Sequence, residues 1–250
     1  MVFFFGGFAT TALVAAKELL EFWMPRDDPM WAVFLTCCAS HLTILPALLQ
    51  FYRRRLVFES AMGTFASFCS FMYHTCQAFK TRIYLTELQW HRLDNIGGLV
   101  FFGMMFCYLS NIRDPMVEAY VKFAILFIAI LAQERDPWNE SYTFVPIALF
   151  SAMPVVVHAA MYQKKPPFDM KNALMGFGLL IAAVPFFVAG LDDDNDPYRL
   201  YHGCWHLFGG LSAFYLWRVV KNHITTTGAG SPTGGFTVGG SWPSSTWEKP

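Results

Sequence analysis

Five residues in separate apolar stretches have the types and spacing for metal-assisted hydrolysis: Ser70, His74, Asp94, His202 and His206. His202 and His206, in YHGCWHLFGG, are four apart, so on a helix both imidazoles leave one face and can share a cation. His74, in SFMYHTC, would add a third imidazole from another helix. Three histidines leave the fourth position of a tetrahedral zinc open, which is the arrangement of catalytic zinc sites. Zinc so held lowers the pKa of water to about 7 and polarises a carbonyl. Asp94, in HRLDNIGG, would orient or deprotonate that water. Ser70, one turn before His74, would hydrogen-bond the water or the developing oxyanion. The implied reaction is hydrolysis of an ester or amide in a lipid-accessible pocket.

Each residue also has an ordinary use. A serine in a membrane helix bonds the carbonyl one turn back or joins helices. Asp94 could cap the third span as its first residue. His74 could bond across helices, and an i, i+4 histidine pair arises without metal. As a set the five sit at one level of the membrane, where polar groups are costly, and a metal site accounts for that level better than coincidence. The other histidines carry less. His41 has no paired partner in the first span and His158 lies near the end of the fifth, so both read as structural. His91 reads as a loop residue near Asp94, and His223 as part of a juxtamembrane tail. The run Asp192, Asp193, Asp194, Asn195, Asp196 lacks the Gly and distal Glu of an EF-hand loop, so it reads as a solvated acidic loop and not a calcium site.

The elements that must position these residues are membrane helices. Of 250 residues, 55% are hydrophobic, 18% aromatic and only 14% charged, with a mean hydropathy of +0.36. Long apolar runs broken by short polar punctuation predict an all-α polytopic membrane protein, a seven-helix bundle. The spans are expected at 30–51, 56–78, 94–111, 117–133, 142–162, 171–190 and 201–220. Prolines 46, 146, 154 and 185 fall inside them, where neighbouring helices can re-satisfy the backbone. A net charge of zero excludes a basic nucleic-acid footprint. Six cysteines without a C-x-x-C pair predict neither disulfides nor a cysteine-zinc site. Residues 1–29 admit three readings: a signal-like segment, an eighth span, or an interfacial helix, and a retained helix beside the bundle is preferred. Residues 30–223 form the membrane domain. The Gly, Ser, Thr and Pro-rich stretch 224–250 is expected to be disordered.

Basic residues set the orientation. Arg53, Arg54, Arg55, Arg113, Lys164, Lys165, Lys171, Arg218 and Lys221 fall on one side, against Lys80, Arg82, Arg92, Arg135 and Arg199 on the other. The excess predicts a cytosolic C-terminal tail and an outward-facing acidic loop. The five polar residues then lie near the extracellular or lumenal face.

A serine four residues before a histidine in the second span, Asp at the third and two histidines four apart in the seventh resemble the CREST superfamily over about residues 30–220. That group of seven-span proteins includes alkaline ceramidases, adiponectin/progestin-type receptors and the transmembrane-protein-8 family with myomaker. The resemblance implies His74, His202 and His206 as zinc ligands, Asp94 as the partner of the zinc water and Ser70 beside it. SFMYHTC and HGCWH are most similar to the transmembrane-protein-8/myomaker branch, whose described activity is a phospholipase A2-type cut on GPI-anchored proteins. The chain departs from that enzyme in the short stretch before its first span, and from myomaker in its tail, which has no cysteine-rich end. Gln77 stands after Cys76, where the branch often has an acid. These departures bear on the substrate and not on the metal set.

The expectation is a zinc-dependent intramembrane hydrolase with a membrane lipid as substrate. It would cut an acyl ester if the branch assignment holds, or an amide if the ceramidases are nearer. The alternative is a non-enzymatic, myomaker-like membrane-remodelling or fusion protein with a structural zinc. A receptor of the progestin type is disfavoured: the resemblance implies zinc on the cytosolic side in that branch, whereas the basic residues here place the site outside.

Overall fold

The computed structural model describes residues 28–160 and 167–220. The expectations for residues 1–27 and for the tail, His223 included, fall outside the described residues. The described chain is all-helical, its only β-type pairings being the isolated bridges Ile83–Leu85 and Phe168–Val220. Its rods are α1 (Met30–Arg53), α2 (Val57–Phe79), α3 (Glu87–Ser110), α4 (Pro115–Arg135), α5 (Ser141–Ala159), α6 (Met170–Ala189) and α7 (Leu200–Leu216).

Five of these, α1, α3, α4, α5 and α6, are long and apolar enough to cross a membrane. The other two carry the paired polar positions. At 17 residues α7 is shorter than the ~20 a bilayer needs, whereas α2 has 23 residues but includes Glu59, His74 and Gln77. Burial then sorts the rods by place. The most apolar stretch of α3 is 61% buried, against 17–22% for α1, α4, α5 and α6. So α3 is the central helix, and the four others turn residues such as Leu42, Phe127, Leu149 and Ile181 outward, as a lipid-facing surface does.

Three local features place the site. First, α1 is not a regular α-helix. A π-helical turn over Phe34–Cys38 gives way to a 3-10 stretch over Ser40–Ile44. Pro46 has no N–H to offer Leu42, and the Leu45 N–H takes that carbonyl instead. The hydroxyls of Ser40 and Thr43 bond back to the carbonyls of Cys37 and Ser40, which further opens the ladder.

Second, glycines on α7 let α1 come close. A Cβ at Gly203 would meet the Thr36 carbonyl oxygen at 2.7 Å, and one at Gly210 would meet the Thr43 carbonyl carbon at 2.8 Å. Thr43 Oγ1 donates to the His206 carbonyl at 3.0 Å across this contact. Gly210→Val should therefore cost about 1–3 kcal/mol through overpacking, read as a lower melting temperature in detergent.

Third, α3 begins two turns earlier than expected. Thr86, the residue before Glu87, forms a reciprocal capping box with Gln89 in the first turn. Asp94 accordingly lies about two turns inside α3 and is not its cap, which removes its ordinary reading. The charged run HRLD had suggested a loop, but the capping signal lies upstream of it. A close contact between Gly97 and Ala66, 2.7 Å from a Cβ to the Ala66 Cα, brings the Asp94 turn of α3 against α2.

Far from the histidines, a charged triad ties α2 to α4. Lys122 Nζ lies 2.6 Å from both Glu59 Oε1 and Glu118 Oε1, with all three side chains 2–8% exposed. It sits about 22 Å along α2 from His74, at 1.5 Å per residue.

Candidate metal centre

His74 lies near the end of α2 and is 1% exposed. His202 and His206 occupy the first turns of α7. The start of α7 is fixed by Asp196, whose carboxylate accepts from the Tyr201 N–H at 2.7 Å and the His202 N–H at 3.0 Å. Asp196 is only 2% exposed, so the acidic run is not uniformly solvated as expected. Arg199 explains why: its guanidinium pairs with Asp193, reaches Asp196 at 3.8 Å and donates to the Gly190 carbonyl at 3.0 Å. Burial raises the Asp196 carboxyl above its ordinary range, with the two backbone N–H groups and Arg199 pulling it back.

The three imidazoles are held the same way. His74 Nδ1 lies 3.2 Å from Gln77 Oε1, His202 Nδ1 3.4 Å from the Gly190 carbonyl, and His206 Nδ1 3.3 Å from the Cys37 carbonyl. The acceptors on His74 and His202 ask for a proton on Nδ1, which leaves Nε2 as a lone pair, while His206 Nδ1 lies between the Cys37 carbonyl and the Ser40 hydroxyl, the latter at 3.2 Å. The two Nε2 atoms of His74 and His202 then face each other at 3.2 Å. Two lone pairs at that distance repel unless a cation lies between them. A tetrahedral metal with nitrogen bonds of about 2.0–2.1 Å holds its nitrogens about 3.3 Å apart, so the pair already has a metal's spacing. Ring centroids of the three histidines lie 4.6–5.0 Å apart.

Donor atoms of Cys37, His74, His202 and His206 all lie within 4.8 Å of one another, and this cluster can hold a metal ion. Cys37 stands in this cluster although the sequence, without a C-x-x-C pair, pointed to no cysteine–zinc site. It enters from α1, which the π-turn and the α7 glycines bring alongside. All six cysteines are free. His41, expected to be alone, also lies here. Its ring is 4.0 Å from that of His206 and 5.6 Å from that of His74, with Nδ1 bonded to the Cys37 carbonyl at 2.8 Å. The available signal was the i, i+4 spacing of Cys37 and His41, repeating that of Ser70/His74 and His202/His206.

Asp94 is not among the converging donors. Its carboxylate interacts with the Ser70 hydroxyl across the α2–α3 contact, so these two form a separate pair beside the histidines. His91 is not a loop residue: it lies in α3, stacked on Trp138 at 3.9 Å and against Tyr73 at 4.8 Å. His158 bonds the Leu109 carbonyl at 3.1 Å, away from the cluster.

Gln77 links His74 to the acidic loop, donating to Asp193 Oδ2 at 2.7 Å. Partners that orient a ligating histidine typically contribute 10–100-fold to metal affinity. Gln77→Ala should weaken metal retention by about that factor, read by chelator competition.

No curated protein matches the chain. A family model does, over residues 29–207, a stretch that contains Cys37, Ser70, His74, Asp94, His202 and His206. The chain belongs to that family, described as a protein of unknown function (DUF3522).

Proposed function

We propose that the protein is a zinc-dependent intramembrane lipid hydrolase of CREST type, with all seven rods as spans and the metal centre at the extracellular or lumenal face. One observation carries the reading: donor atoms of three imidazoles from two helices converge within 4.8 Å of one another, with the Nε2 atoms of His74 and His202 3.2 Å apart. Three imidazoles with a nearby thiol suit zinc among the common metals.

His74, His202 and His206 would hold the zinc, which would supply a Lewis acid and an activated water when its fourth position is open. Asp94 takes the proton of the attacking water and returns it to the leaving group. The Ser70 hydroxyl donates to the Asp94 carboxylate and orients it; once Asp94 has taken the water proton, that hydroxyl is free to turn and donate to the oxyanion on the substrate carbonyl. The substrate reaches the site from the side. An apolar groove of about 370 Å³ between α1 and α2 is lined by Phe34, Leu42, Leu45, Leu48 and Phe71, with His41 in its wall. Such a groove fits an acyl chain. The motif wording favours an acyl ester, as in a phospholipase A2-type cut on phospholipid or GPI lipid, over the amide of a ceramide.

The proximity of Cys37 favours one second reading, a closed structural zinc in a membrane-remodelling protein. Purified protein, zinc-loaded or stripped by chelator, would be incubated with a panel of phospholipids, GPI lipids and ceramides. The hydrolase releases fatty acid from one class only when zinc-loaded. Zinc-loaded protein that releases nothing from any class, either as wild type or as Cys37→Ser with its fourth position open, would reject the hydrolase and leave the structural reading.

A further inference from the structure

We propose that the Cys37 thiolate is the fourth ligand of the resting metal site, completing a tetrahedron of one sulfur and three nitrogens with His74, His202 and His206. The inference rests on the metal reading of the three histidines and adds the state in which that site waits. Cys37 is fully buried, 0% exposed, and its sulfur lies within 4.8 Å of all three imidazole donors.

The backbone around Cys37 serves this placement at three points. The π-helical turn Phe34–Cys38 inserts its irregularity at this residue, and such bulges recur at functional sites. Gly203 and Gly210 admit α1 against α7 so closely that no larger residue fits there without movement. The Cys37 carbonyl meanwhile receives His206 Nδ1 and His41 Nδ1. One residue thus orients a ligating histidine through its carbonyl and offers its own sulfur to the same centre.

Coordination forms a metal–sulfur bond and releases the thiol proton to solvent. Four protein ligands close the tetrahedron, so a water or a carbonyl enters only when the thiolate leaves. The neighbouring Cys38 differs: its sulfur lies 3.6 Å from Thr75 Oγ1 and stands outside the converging set.

Cobalt(II) reads the ligand set independently of activity, because a thiolate on cobalt gives an intense sulfur-to-metal charge-transfer band in the near ultraviolet. Metal-free full-length protein would be titrated with cobalt as wild type, Cys37→Ser and Cys38→Ser. The expected result is the band in wild type and Cys38→Ser, and its loss in Cys37→Ser with cobalt still bound. Metal retention in Cys37→Ser should fall at least about tenfold, the lower bound for losing a mere outer-shell partner. Cobalt bound to wild type without the band, or a band that survives in Cys37→Ser, overturns the Cys37 assignment and leaves the histidine set standing. No cobalt bound to wild type overturns both. X-ray absorption on zinc-loaded wild type needs no variant to fold: a sulfur at about 2.3 Å supports the proposal and an all-nitrogen or oxygen shell overturns it.

Discussion

Asp94→Ala should lower lipid hydrolysis by about 10²–10⁴-fold while the protein still folds and keeps its metal. The separation follows from geometry. Asp94 stands outside the converging donors, paired with Ser70 across the α2–α3 contact, so its loss removes a proton acceptor and not a ligand. Nor does α3 depend on it, because the helix is capped by Thr86 and Gln89. Alanine also favours helix more than aspartate does. The measurement is turnover on the identified lipid together with metal content for wild type and variant. If Asp94→Ala hydrolyses like wild type, Asp94 is not the base. If it loses its metal along with activity, it belongs to the ligand set after all.

The second large effect concerns stability. Lys122→Met should destabilise the bundle by about 3–5 kcal/mol, because it leaves the Glu59 and Glu118 carboxylates buried side by side without their cation. The triad as a whole is a different matter. Replacing all three residues by apolar ones of similar size should be neutral or stabilising, because the desolvation cost of the ions disappears with them. Thermal unfolding in detergent distinguishes the two cases. A Lys122→Met melting temperature equal to wild type would mean that water or lipid headgroups already neutralise the carboxylates. This site lies far from the histidines along α2, so metal retention should not change in a variant that remains folded.

What the sequence made legible was the part governed by local rules. Apolar runs of ~20 residues marked the rods because hydrocarbon thickness demands them, and i, i+4 spacing put His202 with His206 and Ser70 with His74. The meeting of α2 with α7 was inferred from a common depth, and the structure places those imidazoles together. The misses share a cause in tertiary packing. Cys37 reads as ordinary filler of an apolar helix. What brings it to the histidines is a π-turn in α1 and two glycines on another helix 160 or more residues away. Asp94 looked like a cap because its charged neighbours resembled a loop, while the capping box began at Thr86. Asp196 looked solvated because nothing local reveals that Arg199 folds back over it. Glu59, Glu118 and Lys122 lie at the ends of predicted spans, where charges are unremarkable, and only the packing of α2 on α4 shows that they pair.

The central claim is that His74, His202 and His206 hold one metal ion, and elemental analysis tests it most directly. Wild-type protein and His202→Ala would be purified in parallel without added chelator and their metal measured by mass spectrometry. The account predicts about one zinc per chain in wild type and a small fraction of that in His202→Ala, with both proteins monodisperse in detergent. Wild type without metal, or His202→Ala retaining as much as wild type, would contradict it.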